Sequence, residues 1–159
     1  MAILRNFLKA VLYPENMVDG NKNVAKEQCY TVEHFAYGCS RKRNDAGFPY
    51  GATTPSELVF TIKLETPNSG KEFYQRIKEN ELFCYTFLFN AQFSAYGRLS
   101  SFDSALIAKG YMVDIEEYYN NEEGADHFTS QILIKATLLL SSITFKGLDC
   151  DKVLEITKY

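Results

Sequence analysis

The sequence is poor in the residue types from which catalytic and metal sites are usually built. Its 159 residues include no tryptophan and only two histidines, His34 and His127, neither of which lies in a recognisable motif. The dinucleotide, Walker, His-Glu-x-x-His and Gly-x-Ser-x-Gly patterns are all missing. We therefore expect no enzymatic activity, with no catalytic residue, no cofactor and no metal ion.

The four cysteines are also too scattered to suggest a metal site. Cys29, Cys39, Cys84 and Cys150 are widely spaced, and no Cys-x-x-Cys pair occurs. In a reducing compartment a buried free cysteine behaves as a small hydrophobic residue. We expect this role for Cys29 and Cys84.

The chain also lacks a strong positive charge and a long apolar run. Its formal net charge is −3, which offers no global field for nucleic acid. No apolar run approaches the ~20 residues needed to cross a bilayer. Arg5 and Lys9 interrupt the apolar N-terminus, which predicts a first strand, ending near Tyr13, instead of a signal peptide. We expect a cytoplasmic protein that binds no nucleic acid and inserts into no membrane.

Aromatic and aliphatic residues are abundant, and they favour strands. The chain has 11 Tyr and 12 Phe, and 46% of its residues are hydrophobic. Such residues pack well on pleated, half-buried surfaces, and a chain of this length fits one domain. The composition predicts one mainly β domain over residues 1–159.

A turn-rich basic segment divides the first half of the chain. The segment Glu27–Cys39 predicts a strand with a bulge or bend at Gly38. The segment Arg41–Pro55 contains two prolines, two glycines and an Asn-Asp pair, which predicts a long loop of functional interest. Clean alternation over Leu58–Leu64 then predicts a half-buried strand.

One helix and one strongly aromatic strand follow. Ser69-Gly-Lys-Glu72 fits a capping box, which predicts a helix at about residues 69–79. The segment Glu81–Phe93 is apolar on both strand faces, so both should be covered, by the helix, by the opposite sheet or by a neighbouring subunit. The elements together predict a barrel or a tightly packed two-sheet domain with one helix.

The second half predicts two long strands around an acidic tip. The strands are expected near Ala105–Tyr119 and Phe128–Phe145, with a short last strand at Val153–Thr157. The acidic residues between these strands lack the ligand spacing of a calcium loop, so we interpret their segment as a solvated hairpin loop. The acidic residues are Asp114, Glu116, Glu117, Glu122, Glu123 and Asp126. The basic triplet Arg41-Lys42-Arg43 could meet this loop on another copy, head to tail.

These segments, in this order, resemble a known family. The strand ending in Cys39-Ser-Arg-Lys-Arg, the loop Asn44-Asp-Ala-Gly-Phe-Pro-Tyr-Gly, the strand Leu58–Leu64 and the helix are similar to the Hcp/TssD tube proteins of type VI secretion, in a divergent Hcp-like branch. The segments Gly110-Tyr-Met-Val-Asp-Ile-Glu-Glu-Tyr-Tyr and Thr129-Ser-Gln-Ile-Leu-Ile-Lys-Ala resemble that family's final pair of long strands.

The resemblance implies an Hcp-like β-barrel of two packed antiparallel sheets with one flanking α-helix. It further implies a structural tube protein: a homo-oligomer forming hexameric rings, rings stacked into a tube, and a lumen that carries effectors. Sheath, spike and effector proteins would be partners, and the protein would be exported through the secretion apparatus. The loop would supply the subunit or ring contacts, with the candidate residues Arg41, Lys42, Arg43, Asn44, Asp45, Phe48, Pro49 and Tyr50.

A different function remains open from the residues alone. The aromatic side chains of one strand face could line a pocket for a small ligand inside a β-barrel. They are Phe83, Tyr85, Phe87 and Phe89. A ring predicts a mass several times 18.2 kDa, whereas a ligand-binding barrel is compatible with a monomer.

Overall fold

A computed structural model of the chain describes residues 9–17, 24–65, 70–123, 128–146 and 153–157. Strands dominate these residues, with one α-helix and one short 3-10 turn at Lys26–Gln28 among them. The elements are β1 Ala10–Tyr13, β2 Tyr30–Arg43, β3 Pro49–Leu64, α1 Lys71–Glu79, β4 Phe83–Phe89, β5 Gln92–Phe93, β6 Leu99–Ser101, β7 Ser104–Glu123, β8 Phe128–Lys146 and β9 Val153–Thr157. The predicted mainly β class with a flanking helix is confirmed.

The main sheet closes on itself to form a barrel. Its strand order is β3-β2-β1-β4-β7-β8-β9, every described pairing is antiparallel, and β3 also pairs with β8. The β3–β8 pairing runs from Glu57 opposite Leu139 to Leu64 opposite Ile132. Beyond Leu139, β9 takes the place of β3 beside β8. Strands β5 and β6 form a separate two-stranded sheet.

The alternating side chains of β3 and β8 fill the barrel. A strand places successive side chains on opposite faces, so every second residue points inward. The inward set is at most 3% exposed and comprises Leu58, Phe60, Ile62, Leu64, Ile134, Ala136, Leu138 and Leu140. The inward face predicted for Leu58–Leu64 is therefore confirmed.

Strand β4 is covered on both faces, as its sequence predicts. Tyr85 and Phe87 point into the barrel core. On the other face, Leu88 belongs to a second apolar cluster with Tyr13, Val24, Leu99 and Ala105. The Thr86 hydroxyl donates a hydrogen bond of 2.8 Å to the Glu15 carbonyl oxygen. The chain's own residues supply this cover, so β4 needs no neighbouring subunit to bury it.

The helix begins slightly later than its sequence predicts. Its N-cap is Gly70, which makes no side-chain cap, while Ser69 lies outside the described residues. The Glu72 carboxylate accepts a 2.5 Å hydrogen bond from the Tyr30 hydroxyl. The expected capping box depends on Ser69 and therefore lies outside the described residues.

The helix is held to the barrel by a buried aromatic ring and by paired polar groups. Phe73 is fully buried, with its ring centroid 5.2 Å from that of Tyr30. The Arg76 guanidinium donates a 2.5 Å hydrogen bond to the Pro14 carbonyl oxygen and lies 4.7 Å from the centre of the Phe83 ring. Arg76 therefore joins α1 to the loop after β1 and to β4.

We expect Arg76→Met to destabilise the fold by about 2 kcal/mol. Methionine keeps much of the apolar contact but removes the guanidinium, which leaves the Pro14 carbonyl oxygen without this donor. Urea unfolding of Arg76→Met and of the exposed helix control Lys78→Met would measure the difference. Equal stability of the two variants would show that the guanidinium does not help to hold the helix.

Candidate assembly surface

The predicted long loop Arg41–Pro55 is instead a β-hairpin. β2 continues to Arg43 and β3 begins at Pro49, so only residues 44–48 form the turn. Proline is tolerated as the first residue of a strand, where its missing N–H need not join the ladder. Register shifts after Tyr37 and after Ser40 absorb the irregular positions. The loop prediction is therefore wrong about conformation, because the bulges let turn-forming residues lie within strands.

Asn44 and Gly47 build the turn at the end of this hairpin. The Asn44 side-chain oxygen accepts hydrogen bonds of 3.0 Å from the backbone N–H groups of Ala46 and Phe48. Gly47 has φ of +86°, a left-handed conformation that glycine adopts without strain. The backbone N–H of Gly47 donates to the Asn44 carbonyl oxygen at 2.9 Å. The turn is therefore fixed by its own residues.

We call residues 40–54 the arm, because they extend beyond the closed part of the barrel. The arm is exposed on both strand faces, and only Thr54, at its base, is half-buried. The exposed set includes every candidate site residue: Arg41, Lys42, Arg43, Asn44, Asp45, Phe48, Pro49 and Tyr50. The structure thus gathers all eight on one projecting element.

Two features of the arm are unusual for a free surface. Phe48 is 67% exposed and Tyr50 is 50% exposed, which leaves large apolar area in water. Among the described residues, the edge of β2 from Glu33 to Arg43 has no partner strand on the side away from β3. Unpaired edges readily accept another strand. Both features fit a surface that another chain covers.

The arm is long and internally braced. From Pro55 to Pro49 it extends roughly 20 Å, at about 3.3 Å per residue. The Arg41 side chain donates from Nε to the Gly51 carbonyl oxygen at 2.7 Å, across the two strands. At the base, the Ser56 hydroxyl donates to the Gly38 carbonyl oxygen at 2.8 Å. The arm can therefore reach a neighbouring molecule while keeping its shape.

The acidic segment lies at the opposite end of the barrel. Leu64, at the far end of β3, pairs with Ile132, which in turn pairs with Tyr119. The β7–β8 hairpin continues past this row to Glu123 opposite Phe128. The predicted acidic loop is therefore wrong over its first part, which is strand up to Glu123. The strand persists because it pairs residue by residue with β8.

The four aromatic residues proposed as a pocket lining make packing contacts instead. Phe87 is fully buried, with its ring centroid 5.7 Å from that of Phe60 and 5.3 Å from that of Phe35. Tyr85 also packs on Phe60, and Phe89 packs on Phe35. None of the four lines the surface groove beside residues 25–31. The observations favour core packing for this strand.

A groove of about 520 Å³ lies outside the barrel, between residues 25–31 and the turn that joins β5 to β6. Side chains of both charges line it, including Lys26, Glu27 and Glu65. Within the described ranges, no group of three or more His, Cys, Asp or Glu side chains could hold a metal ion. Among the described residues, the groove therefore has no donor set for a metal ion.

The cysteines are less buried than the sequence suggests. Cys29 and Cys84 are half-buried and Cys39 is exposed, while Cys150 lies outside the described residues. Burial raises the pKa of the Cys29 thiol to about 11, so this thiol is protonated at neutral pH.

In the part of the chain that the structure describes, no helix is long and apolar enough to span a membrane.

Known structures share this fold, although sequence comparison finds no relative. No protein-family model and no curated protein matches the chain. A crystal structure of an Hcp protein matches with a TM-score of 0.66 and 14% identity, over 95% of this chain and 98% of the other. Hcp1 from the E. coli EAEC 042 pathovar matches with a TM-score of 0.63 and 14% identity, over 96% of this chain and 98% of the other. A type six secretion system protein matches with a TM-score of 0.57 and 10% identity, over 89% of this chain and 84% of the other.

At these identities the likeness establishes the fold. The chain has the Hcp-like fold, and this confirms the resemblance that the order of its segments suggests. The match extends over nearly the whole length of the Hcp structures, so it includes the barrel and the helix together.

Proposed function

We propose that this protein is a structural tube subunit of a type VI secretion apparatus. Copies of the chain assemble into hexameric rings, and the rings stack into a tube that carries effectors. Sheath, spike and effector proteins are its partners, and the assembled protein leaves the cytoplasm through the apparatus. The whole chain acts as one domain in this role and carries out no catalysis.

The observation that carries this proposal is the arm on an Hcp-like barrel. The likeness to Hcp structures supports the barrel as a tube subunit, and the arm supplies a surface for contacts between copies. Phe48 and Tyr50 are exposed, and aromatic side chains are enriched in protein interfaces. Within the described ranges, the edge of β2 beyond Val32 has no partner strand, and its backbone donors and acceptors can pair with a neighbouring strand.

A monomer could protect its strand edges with charge alone, and this is the main competing explanation. Lysine and arginine on an edge discourage pairing with other chains, and Arg41, Lys42 and Arg43 lie on the arm. That explanation does not account for the exposed rings of Phe48 and Tyr50. Their exposure is better explained if a second copy covers them.

The mass in solution tests the proposal. We expect the wild-type protein to sediment as a species several times heavier than 18.2 kDa, with a hexamer as the smallest stable ring. We expect Phe48→Ser combined with Tyr50→Ser to weaken association at least tenfold, because loss of interface anchors costs about 2 kcal/mol or more. Analytical ultracentrifugation over a range of concentrations, with electron microscopy of the assemblies, would measure both effects.

The matched control is Tyr96→Ser, which removes a ring that is 94% exposed on the turn between β5 and β6. This variant should associate like the wild type. A wild-type protein that stays monomeric at high concentration would exclude the tube function. If Tyr96→Ser weakened association as much as the arm variant, the arm would not be the contact surface.

A further inference from the structure

The described part of the barrel has an open seam between β2 and β4. Strand β1 lies between these two strands, with Ala10 opposite Val32 of β2 and opposite Phe89 of β4. β1 begins at Ala10, whereas β2 continues beyond Val32 as far as Arg43. Among the described residues, this last part of β2 pairs with β3 alone. We call the gap between this free edge of β2 and the end of β4 the seam.

Aromatic rings bridge the two sides of the seam without being fully covered. The Phe35 ring of β2 lies 5.5 Å from the Phe89 ring of β4 and 5.8 Å from the Tyr37 ring. The Tyr37 ring also lies 5.9 Å from that of Phe145 on β8. Phe35, Phe89 and Phe145 are half-buried, and Tyr37 is 40% exposed. Covering these rings with apolar side chains would remove further apolar area from water.

The chain enters β1 at the foot of this seam. The Lys9 carbonyl oxygen accepts a 2.8 Å hydrogen bond from the backbone N–H of Asn90, and the Lys9 N–H donates to the Asn90 side-chain oxygen at 3.3 Å. β1 is antiparallel to β2. A strand that extended β1 on its N-terminal side would therefore run along the free edge of β2, from Glu33 toward the arm.

The sequence of residues 1–8 suits a strand on this edge. The eight residues include Ile, Leu and Phe, and they contain neither proline nor glycine. In an extended chain, Leu4, Asn6 and Leu8 share the face of Leu12, which is fully buried in the barrel core. Two of these three side chains are apolar and would fall on the side where the rings of the seam lie.

From this placement we propose that residues 1–8 add to the free edge of β2 as an antiparallel strand and close the seam. The occupant is a segment of the same chain, because Lys9 already holds its end at the foot of the edge. Eight residues reach from Glu33 to about residue 40, where the arm begins. The arm thus stays open, while the edge below it is protected from pairing with other chains. The inference goes beyond the proposed tube function and does not depend on it.

The direction of the backbone groups in β1 provides a matched pair of variants. Both backbone groups of Lys9 point toward Asn90, on the β4 side, and successive residues of a strand direct these groups to opposite edges. In the proposed strand the N–H of Asn6 therefore faces β2, and the N–H of Arg5 faces away. Asn6→Pro removes a donor to β2, whereas Arg5→Pro places the proline where no ladder bond is lost.

Amide hydrogen exchange of the full chain tests the proposal. The relevant amides are those of residues 33–40 that do not face β3, measured by mass spectrometry with fragmentation to single residues. We expect them to be protected in the wild type, at least tenfold faster to exchange in Asn6→Pro, and within about twofold of the wild type in Arg5→Pro. Slow exchange of the β8 amides in all three proteins would show that the barrel stays folded.

A dilution series of the wild type adds a measurement that needs no variant. Protection by residues 1–8 is intramolecular, so it should not change with protein concentration. Protection that disappears on dilution would mean that a second copy covers the edge, and the inference would be wrong. Unprotected edge amides in the wild type, or equal exchange in the two proline variants, would overturn it as well.

Sedimentation of the same samples separates this inference from the proposed function. A wild type that stays monomeric and keeps its edge amides protected would exclude the tube function and support the pairing of residues 1–8. A wild type that assembles but has edge amides that exchange freely would contradict the pairing and leave the tube function standing.

Discussion

Phe60→Ala is expected to lower the free energy of unfolding by about 4 kcal/mol, the usual cost of deleting a buried phenylalanine ring. Phe60 is fully buried in β3, and its ring centroid lies 5.7 Å from that of Phe87 and 6.1 Å from those of Phe73 and Tyr85. It thus contacts the helix and β4 at once. Removal of the Phe60 ring leaves a cavity, because the packed rings of Phe73, Tyr85 and Phe87 cannot easily shift to fill it.

Urea unfolding would measure the effect as a fall in the midpoint with little change in slope. The matched control is Phe48→Ala, the same chemical change at a ring that is 67% exposed on the arm. Its effect should stay within about 0.5 kcal/mol, measured at a concentration where both proteins are monomeric. A small effect of Phe60→Ala would mean that the ring is not at the centre of the core.

Gly110→Ala is expected to destabilise the fold by about 3 kcal/mol through overpacking. Gly110 lies on β7 at a register shift and pairs with Leu140 of β8. A Cβ atom there would overlap the Leu139 carbonyl oxygen and would lie 3.2 Å from the Leu140 Cα atom. These are backbone atoms of a paired strand, so relief requires β7 and β8 to separate locally.

Gly38→Ala is the control, because Gly38 is also a strand glycine beside a register shift. A Cβ atom at Gly38 would approach nothing closer than the Ser56 hydroxyl oxygen at 3.7 Å, an ordinary contact. Thermal unfolding should show a clear loss for Gly110→Ala and a change within about 0.5 kcal/mol for Gly38→Ala. Similar melting of the two variants would contradict the close approach of β7 and β8 at Gly110.

The strands were the most predictable part of the fold. Alternation alone identified the buried face of Leu58–Leu64, because a half-buried strand must place every second residue inward. The two-sided cover of β4 also followed from sequence, since both of its faces are apolar. What covers the second face did not follow, because Val24 and Leu99 come from distant segments.

The conformation of the candidate surface did not follow from the sequence. Glycine and proline in the segment Arg41–Pro55 are read locally as loop formers, whereas register shifts in the β2–β3 ladder accommodate them within strands. The same limit applies to Glu72, because a local capping pattern does not indicate that this carboxylate accepts a hydrogen bond from the Tyr30 hydroxyl. Both differences arise from contacts made over long sequence separations.

The sequence by itself determined the mainly β class, the order of strands and helix, and the segregation of basic and acidic residues along the chain. Periodicity and charge are properties of the local sequence, and they do not depend on how the chain folds. Only the tertiary structure decided that the barrel closes through β3 and β8, that the arm is a hairpin, and that the two charged regions lie at opposite ends. The closure of the barrel and the direction in which each hairpin projects depend on which strands pair. No local sequence pattern predicts that pairing.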